Sequence, residues 1–284
     1  MKRPIAWVTG ACGLIGSYIL RVAPQYAPDW DVRPITRAQV DLLDFPAVRT
    51  IWNQQQPSLV IHCAAMSKSV DCQKNPDLAR RVNVEATAQL AELAADGRFL
   101  FFSSDLVFDG RKGSYSERDS PNPLTVYGET KAAAEQIILR NKSHTVLRTS
   151  LNAGRSPAGD RSFTEETRSA WQKGKTLKLF TDEFRTPIPA IVTSRAVWEI
   201  VRTKATGLFH LGGAERLSRW EIGQLLAKRW PGVQAKMEPV SLRDYQGPPR
   251  SADTSLNCSR IQQLLSFPLP RFSEWLEENP AEPI

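Results

Sequence analysis

Metal-ligating and disulfide-forming residues are scarce in this sequence. Its 284 residues include four cysteines and three histidines. The dispersed cysteines are Cys12, Cys63, Cys72 and Cys258. They form no CxxC pair, and no histidines stand at metal-ligand spacing. We therefore expect reduced cysteines and no metal site.

Long apolar runs are also absent. The longest apolar stretches, such as Leu59 to Met66, are far shorter than the roughly 20 residues that a membrane-spanning helix needs. The N-terminal segment MKRPIAWVTG enters a strand-like run directly and lacks the apolar region and small-residue cleavage site of a signal peptide. We therefore expect a cytoplasmic protein with no membrane partner.

Like charges do not cluster along the chain. The formal net charge is +7, but Lys and Arg are scattered and acidic residues interleave with them. This pattern predicts a solvated basic surface and no nucleic-acid partner. A positive field would still help to recruit an anionic small ligand such as a nucleotide or a nucleotide sugar.

Short apolar and β-branched runs alternate with helical patterns, which is typical of parallel βαβ units. The predicted strands are Ile5 to Thr9, Asp31 to Thr36, Leu59 to Cys63, Arg98 to Ser103 and Thr145 to Arg148. Asn75 followed by Pro76 predicts the start of a helix that runs through Leu90. The sequence therefore predicts an α/β fold with a doubly wound parallel sheet.

A glycine-rich segment, TGACGLIG, follows the first predicted strand and opens a helix. Gly10, Gly13 and Gly16 permit a tight turn, close approach of the backbone to a pyrophosphate and close helix packing. The helix N-terminus would present free N–H groups to the phosphates. The strand and helix around the segment favour a dinucleotide site over a glycine turn without a ligand. Further predicted cofactor contacts in this turn are Cys12, Leu14 and Ile15.

The second predicted strand ends without the carboxylate that commonly binds the 2′-hydroxyl of an adenosine ribose. Arg37 stands there instead, and a guanidinium engages phosphate in a charge-assisted way. We therefore predict that the cofactor is NADP(H), with NAD(H) as the alternative cofactor. A surface arginine in a loop is the alternative. Asp41 and Leu42 follow and are predicted to border the adenine.

Three residues suggest proton-transfer chemistry. Tyr127 and Lys131 are four positions apart and share a face near the start of a predicted helix. Because tyrosine has an ordinary pKa of about 10, a nearby ammonium that favours the phenolate is needed for proton transfer near neutrality. Such a pair also arises on helices by chance. Ser104 strengthens the catalytic interpretation, because it follows the fourth strand at the sheet edge where ligands bind.

These motifs together resemble the extended short-chain dehydrogenase/reductases, and within them the dTDP-4-dehydrorhamnose reductase family. The resemblance is carried, in chain order, by TGACGLIG, VDLLD, VIHCAA, FFSSDLVFDG, YSERDSPNPLTVYGETKAAAE, VLRTS, GLFHLGG and LNCSRI. It implies an NADPH-dependent reductase of a nucleotide-linked 4-keto sugar. Ser104 would polarise the substrate carbonyl, Tyr127 would be the acid, and Lys131 would lower the tyrosine pKa and hold the nicotinamide ribose.

The resemblance also implies further contacts and an architecture. Additional cofactor contacts would be Ala64, Ala65 and Asn83. For Asn83 a plain polar helix residue is an equal alternative. A Rossmann-like NADP(H)-binding domain would span residues 1–150 and about 187–206. A smaller C-terminal α/β substrate-binding region would span about 151–186 and 207–284. A homodimer is a further family expectation.

The chain departs from the family pattern where the sugar would bind. Leu106 and Leu151 stand where these reductases often carry aromatic residues, so the reaction class is better supported than the sugar. The predicted substrate-binding residues are Ser104, Asp105, Leu151, Arg185 and Arg250. Other candidate diphosphate contacts are Arg155, Arg161, Lys173 and Lys175. A surface loop arginine is an equal alternative for Arg250.

Two other functions stay open at this point. A sugar-nucleotide epimerase or dehydratase is one, although dehydratases usually carry an Asp-Glu pair where this chain has Asp105 followed by Leu106. The other is a noncatalytic NADP-binding regulatory subunit resembling the β subunit of methionine adenosyltransferase. Arg37 and the Arg185-Thr186 region lean towards this second alternative.

Overall fold

The structure is a computed structural model that describes residues 3–284. Its strands are β1 (Ile5–Thr9), β2 (Asp31–Ile35), β3 (Leu59–His62), β4 (Arg98–Ser104), β5 (Thr145–Thr149), β6 (Asn152–Ala153), β7 (Leu177–Phe180), β8 (Phe184–Arg185), β9 (Ile188–Pro189), β10 (Gly207–Leu211), β11 (Leu217–Ser218) and β12 (Met237–Val240). Its α-helices are α1 (Leu14–Tyr26), α2 (Phe45–Gln55), α3 (Ser69–Lys74), α4 (Pro76–Arg80), α5 (Ala86–Leu93), α6 (Val126–Ile138), α7 (Phe163–Gln172), α8 (Ala190–Thr203), α9 (Arg219–Arg229), α10 (Ser259–Gln262) and α11 (Phe272–Glu278).

Six parallel strands form the central sheet in the order β10-β5-β4-β3-β1-β2. Alternate side chains of each strand point to opposite faces. Ala6 and Val8 pack with α1 and α8, whereas Ile5 and Trp7 pack with α2, α5 and α6. Both faces are therefore covered by helices, and the winding reverses between β1 and β3. This confirms the predicted doubly wound α/β fold.

The predicted strands agree with the observed ones within one residue at each end. One strand of the central sheet lies outside the predicted nucleotide-binding segments. It is β10, which follows the predicted boundary at residue 206 and pairs with β5 along its whole length. The pairing of this edge strand depends on a partner about 60 residues away, which no local pattern indicates. The division into two domains stays a prediction.

The rest of the C-terminal half forms a second layer beside the sheet. Three short strand pairs, β6 with β9, β7 with β12 and β8 with β11, connect its helices. Its core is rich in aromatic residues, including Trp171, Trp230, Phe272 and Trp275. Among residues 3–284 no helix is both long and apolar enough to cross a membrane.

The helix predicted to begin at Pro76 is continuous to Leu93 but changes its winding on the way. Asn75 stands at its N-cap without a capping bond from its side chain. A π-helical segment, Arg81–Glu85, separates α4 from α5. Such segments are frequent at functional sites because they redirect one side chain. Here the segment holds Asn83, which is buried.

Candidate active site

A cavity of about 780 Å³ opens at the carboxyl ends of β1, β3, β4 and β5. In open α/β sheets this edge is where ligands bind, at the point where the winding reverses. One wall is the glycine-rich turn, and another consists of Ser104, Tyr127 and Lys131. The cavity is therefore shared by the predicted cofactor site and the predicted catalytic residues.

The glycine-rich turn is packed too closely for side chains. Gly10 has a φ of +64°, and a Cβ atom there would lie 2.7 Å from the backbone nitrogen of Ala64. A Cβ atom at Gly16 would lie 2.4 Å from the carbonyl oxygen of Gly10. Gly13 is the N-cap of α1 and offers no capping side chain, so N–H groups of the first turn are free for phosphates. The turn therefore fits the pyrophosphate of a dinucleotide.

The remaining predicted residues of this wall are also at the cavity. They are Cys12, Leu14, Ile15, Ala64 and Ala65. They come from two loops, after β1 and after β3, which meet because these strands are neighbours in the sheet. The two loops, which are far apart in the sequence, thus form one continuous surface.

Arg37 lies at the other end of the cavity with its side chain 87% exposed. Its guanidinium is 3.2 Å from the carboxylate of Asp41. Asp41 also accepts a hydrogen bond from the backbone N–H of Leu43. This bond, and to a smaller extent the charge of Arg37, holds the pKa of the Asp41 carboxyl below its ordinary range. Leu42 lines the same end. Because an exposed ion pair is weak, Arg37 can exchange Asp41 for a 2′-phosphate at little cost.

We expect Arg37→Ala to weaken NADPH binding about ten- to a hundredfold and to leave NADH binding nearly unchanged. The reason is the loss of one charge-assisted phosphate contact, typically about 1.5–3 kcal/mol. Titration calorimetry with both cofactors measures this. Arg33→Ala is the matched control, because Arg33 pairs with Asp31 on β2 and lies outside the cavity wall. Equal affinities of the unaltered protein for NADPH and NADH would contradict the prediction.

Ser104 and Tyr127 meet where α6 approaches the end of β4. Thr125 caps α6 by accepting a hydrogen bond from the backbone N–H of Gly128. A Cβ atom at Gly128 would lie 2.2 Å from the carbonyl oxygen of Leu106, so only glycine lets the helix come this close. Burial raises the pKa of Tyr127 above its ordinary value, and a hydrogen bond with Ser104 lowers it in part. Both residues line the same cavity.

Lys131 lies one helical turn after Tyr127 and is almost completely buried. Its Nζ atom is 4.0 Å from the centroid of the Phe101 ring. Desolvation lowers the pKa of its ammonium to about 7, and the charge of Glu135 opposes this shift. A ligand hydroxyl that accepts a hydrogen bond from Nζ would favour the charged form.

Asp105 lines the cavity, but its carboxylate oxygens are occupied by the protein. One oxygen accepts a hydrogen bond from Ser104 at 3.1 Å. The other accepts from Ser150 at 3.0 Å and from Thr254 at 2.9 Å, and lies 3.6 Å from Arg185. Asp105 therefore orients Ser104 and ties it to the second layer.

The candidate diphosphate contacts Arg155, Lys173 and Lys175 lie away from the cavity wall, and so do three residues predicted to bind cofactor or substrate, Asn83, Arg185 and Arg250. Asn83 accepts a hydrogen bond from the backbone N–H of Met66 and donates to the Met66 carbonyl oxygen and to the Thr130 hydroxyl. These bonds tie the loop after β3 to α6. Arg185 is buried in ion pairs. Arg250 pairs with Glu183, which also lies 3.1 Å from Arg185. As ligand contacts these three residues stay predictions.

Leu106 and Leu151 line the cavity, together with an aromatic residue that no sequence pattern indicated. Phe163, the first residue of α7, also lines the cavity and packs against the core of the second layer. It follows the irregular segment after β6, where no periodic pattern predicts which side chain turns inward. Its ring partly replaces the aromatic surface that the two leucines lack.

Comparison with known proteins agrees with this geometry. The family described as RmlD substrate binding domain matches residues 5–282. Methionine adenosyltransferase 2 subunit beta of Bos taurus is 31% identical over 274 residues, covering 90% of this chain and 81% of that protein. The probable low-salt glycan biosynthesis reductase Agl14 of Haloferax volcanii is 29% identical over 286 residues, covering 95% of each chain.

The fold is shared with solved reductases. The crystal structure of dTDP-4-dehydrorhamnose reductase from Bacillus anthracis in complex with NADP has a TM-score of 0.88 at 20% identity and covers 98% of each chain. The resemblance predicted from the sequence is thereby confirmed. Since the family model spans nearly the whole chain, this protein belongs to the RmlD substrate binding domain family.

Proposed function

We propose that this protein is an NADPH-dependent reductase of a nucleotide-linked 4-keto sugar, an oxidoreductase of the extended short-chain dehydrogenase/reductase type. The observation that carries the proposal is the single cavity shared by the glycine-rich turn, Arg37 and the set Ser104, Tyr127 and Lys131. The hydroxyls of Ser104 and Tyr127 line this cavity together, and reduction of a carbonyl needs such a proton donor beside a polarising group. The relatives named as reductases add support.

The bound cofactor would supply a hydride to the keto carbon. The Ser104 O–H, which donates to Asp105 in this structure, would turn to the substrate carbonyl oxygen and polarise it. Tyr127 would donate its proton to the oxygen that becomes the alkoxide. Lys131 in its charged form would favour the resulting phenolate. Asp105 would keep the serine in place.

Leu106 and Leu151 offer no flat face for stacking, so we expect weaker activity on dTDP-4-dehydrorhamnose than on some other nucleotide keto sugar, or a cavity that accepts several. We expect Leu151→Trp to raise kcat/KM for dTDP-4-dehydrorhamnose about two- to tenfold, since an aromatic contact contributes about 0.5–1.5 kcal/mol beyond area. Steady-state assays at saturating NADPH measure this. Leu139→Trp, on an exposed residue after α6, is the control. The prediction would be contradicted if the unaltered protein already had a kcat/KM of about 10⁴–10⁸ M⁻¹s⁻¹ for dTDP-4-dehydrorhamnose and Leu151→Trp did not raise it.

A second candidate is a noncatalytic NADP-binding regulatory subunit. The identity to methionine adenosyltransferase 2 subunit beta favours it. In that case the protein would bind NADPH and a methionine adenosyltransferase without consuming NADPH. An epimerase or dehydratase is less favoured, because Leu106 follows Asp105 where dehydratases usually have glutamate.

We further infer that the enzyme lies in the cytoplasm and acts on a small-molecule substrate, with no nucleic-acid partner. We expect the protein to form a homodimer. Light scattering coupled to size-exclusion chromatography tests the assembly. A monomer at micromolar concentration would remove the homodimer from the proposal and leave the chemistry untouched.

The decisive experiment is a turnover assay with purified protein and NADPH. Oxidation of NADPH that depends on a nucleotide-linked 4-keto sugar supports the reductase. Binding of NADPH without turnover on any such sugar, together with formation of a complex with methionine adenosyltransferase, supports the regulatory subunit instead.

A further inference from the structure

The loop between β6 and α7 lies against the start of α1 and so flanks the glycine-rich turn. Gly154 packs on Leu14 and on the ring of Tyr18. The backbone N–H of Arg155 donates a hydrogen bond to the Tyr18 hydroxyl at 3.1 Å. The far end of this loop, Arg161 to Phe163, lines the same cavity as Gly10 to Gly16. The loop therefore forms a part of the cavity wall beside the phosphate-binding turn.

A buried carboxylate fixes the shape of this loop. Glu165 accepts hydrogen bonds from the backbone N–H groups of Ser156, Arg161 and Ser162 at 2.7, 2.9 and 3.0 Å. It also forms a capping box with Ser162 at the start of α7. Because three amides of the loop converge on one carboxylate, the backbone of Arg161 is held at a defined place on the cavity rim.

Contacts across the cavity mouth hold the start of α7 in place. Lys68, in the loop after β3, lies 3.2 Å from Glu166 on α7. Ser67, beside Lys68, lines the cavity from the sheet side, and Ser162 lines it from the second layer. The two layers therefore face each other across the space into which Arg161 can reach.

The charges of the cavity wall leave Arg161 without a strong partner. Among residues 3–284 the charged residues of this wall are Arg37, Asp41, Asp105, Lys131 and Arg161. Arg37 pairs with Asp41, Asp105 with buried Arg185, and Lys131 is buried. The guanidinium of Arg161 pairs with its neighbour Asp160 at 3.1 Å, and both side chains are more than half exposed. Such a pair contributes little to stability, so exchange for a phosphate is easy.

We propose that Arg161 binds the diphosphate of a ligand in this cavity, which it shares with the glycine-rich turn. A diphosphate carries two negative charges, and the turn offers it only backbone N–H groups. The guanidinium of Arg161 supplies the missing charge and bidentate hydrogen bonds. The diphosphate belongs either to the dinucleotide or to a sugar nucleotide, and in that respect the inference rests on the proposed function.

The test compares Arg161→Gln with Arg140→Gln, an exposed arginine after α6 that lies outside the cavity wall. Titration calorimetry measures the Kd of NADPH and, with NADPH present, the Kd of dTDP-glucose. We expect Arg161→Gln to raise one of these Kd values about tenfold, the usual size for one charged contact, and Arg140→Gln to change neither. Thermal melting confirms that both variants fold.

The ligand affected identifies the source of the diphosphate. A rise for NADPH assigns Arg161 to the cofactor, and a rise for dTDP-glucose alone assigns it to the sugar nucleotide. Unchanged Kd values for both ligands, or equal losses in the two variants, would overturn the proposal. Since no turnover is measured, a protein that binds NADPH but reduces no sugar would refute the reductase function and leave this result interpretable.

Discussion

Replacing Tyr127 with phenylalanine is expected to lower turnover about 10²–10⁴-fold, because proton transfer by a placed side chain contributes that much to catalysis. The substitution removes only the hydroxyl, which meets Ser104 at the inner end of the cavity. The α6 backbone and its cap at Thr125 are unchanged. Single-turnover mixing of the NADPH complex with a verified keto-sugar substrate measures the chemical step.

The control for this variant is the affinity for NADPH, which should stay near that of the unaltered protein. Tyr26→Phe provides a matched tyrosine substitution, because Tyr26 is a half-buried residue at the end of α1 that packs on the core of the sheet outside the cavity. The Tyr26 variant should turn over substrate at the rate of the unaltered protein. If the Tyr127 variant reduced substrate as fast as the Tyr26 variant, Tyr127 could not be the acid.

Lys131→Met is expected to abolish most activity and at the same time to stabilise the protein. Desolvation lowers the pKa of the Lys131 ammonium from 10.5 to about 7, so folding carries an electrostatic cost at this residue. Methionine has a similar length and no charge to desolvate. Since one pKa unit corresponds to about 1.4 kcal/mol, we expect a gain of about 1–3 kcal/mol in the free energy of unfolding near pH 7, after local relaxation.

The pH dependence of this gain has a defined sign. Between about pH 7 and 10.5 the unfolded chain keeps the proton that folded Lys131 has lost. The stability contributed at this residue therefore rises with pH across that window. The advantage of Lys131→Met should be largest below pH 7 and should shrink towards pH 10.5. Denaturant unfolding at several pH values tests this, and a variant less stable than the unaltered protein below pH 7 would contradict it.

The local parts of the fold and site were predictable because short segments encode them. Alternation within β1 and the glycines of the following turn specify their own geometry, and the spacing of Tyr127 and Lys131 places them on one helical face. Arg37 was predictable from its position after β2. In each case the physical reason lies within a few residues of the feature.

The long-range contacts of the site could not be read from the sequence. Asp105 meets Thr254 across 149 positions, and nothing near either residue signals the pairing. The ion pairs of Arg185 are of the same kind, because its guanidinium meets Asp105 and Glu183 from distant parts of the chain. Asn83 was predicted to contact the cofactor, and only the fold shows that it ties Met66 to Thr130.

Transfer of the hydride itself distinguishes a reductase from a cofactor-binding subunit. NADPH deuterated at the transferring position of the nicotinamide is mixed with the protein and a nucleotide-linked 4-keto sugar, and the sugar product is analysed by mass spectrometry. We expect one deuterium in the reduced sugar with the unaltered protein and almost none in the same time with Tyr127→Phe. Intact, bound NADPH beside an unreduced sugar, across all such substrates, would contradict the assignment as a reductase.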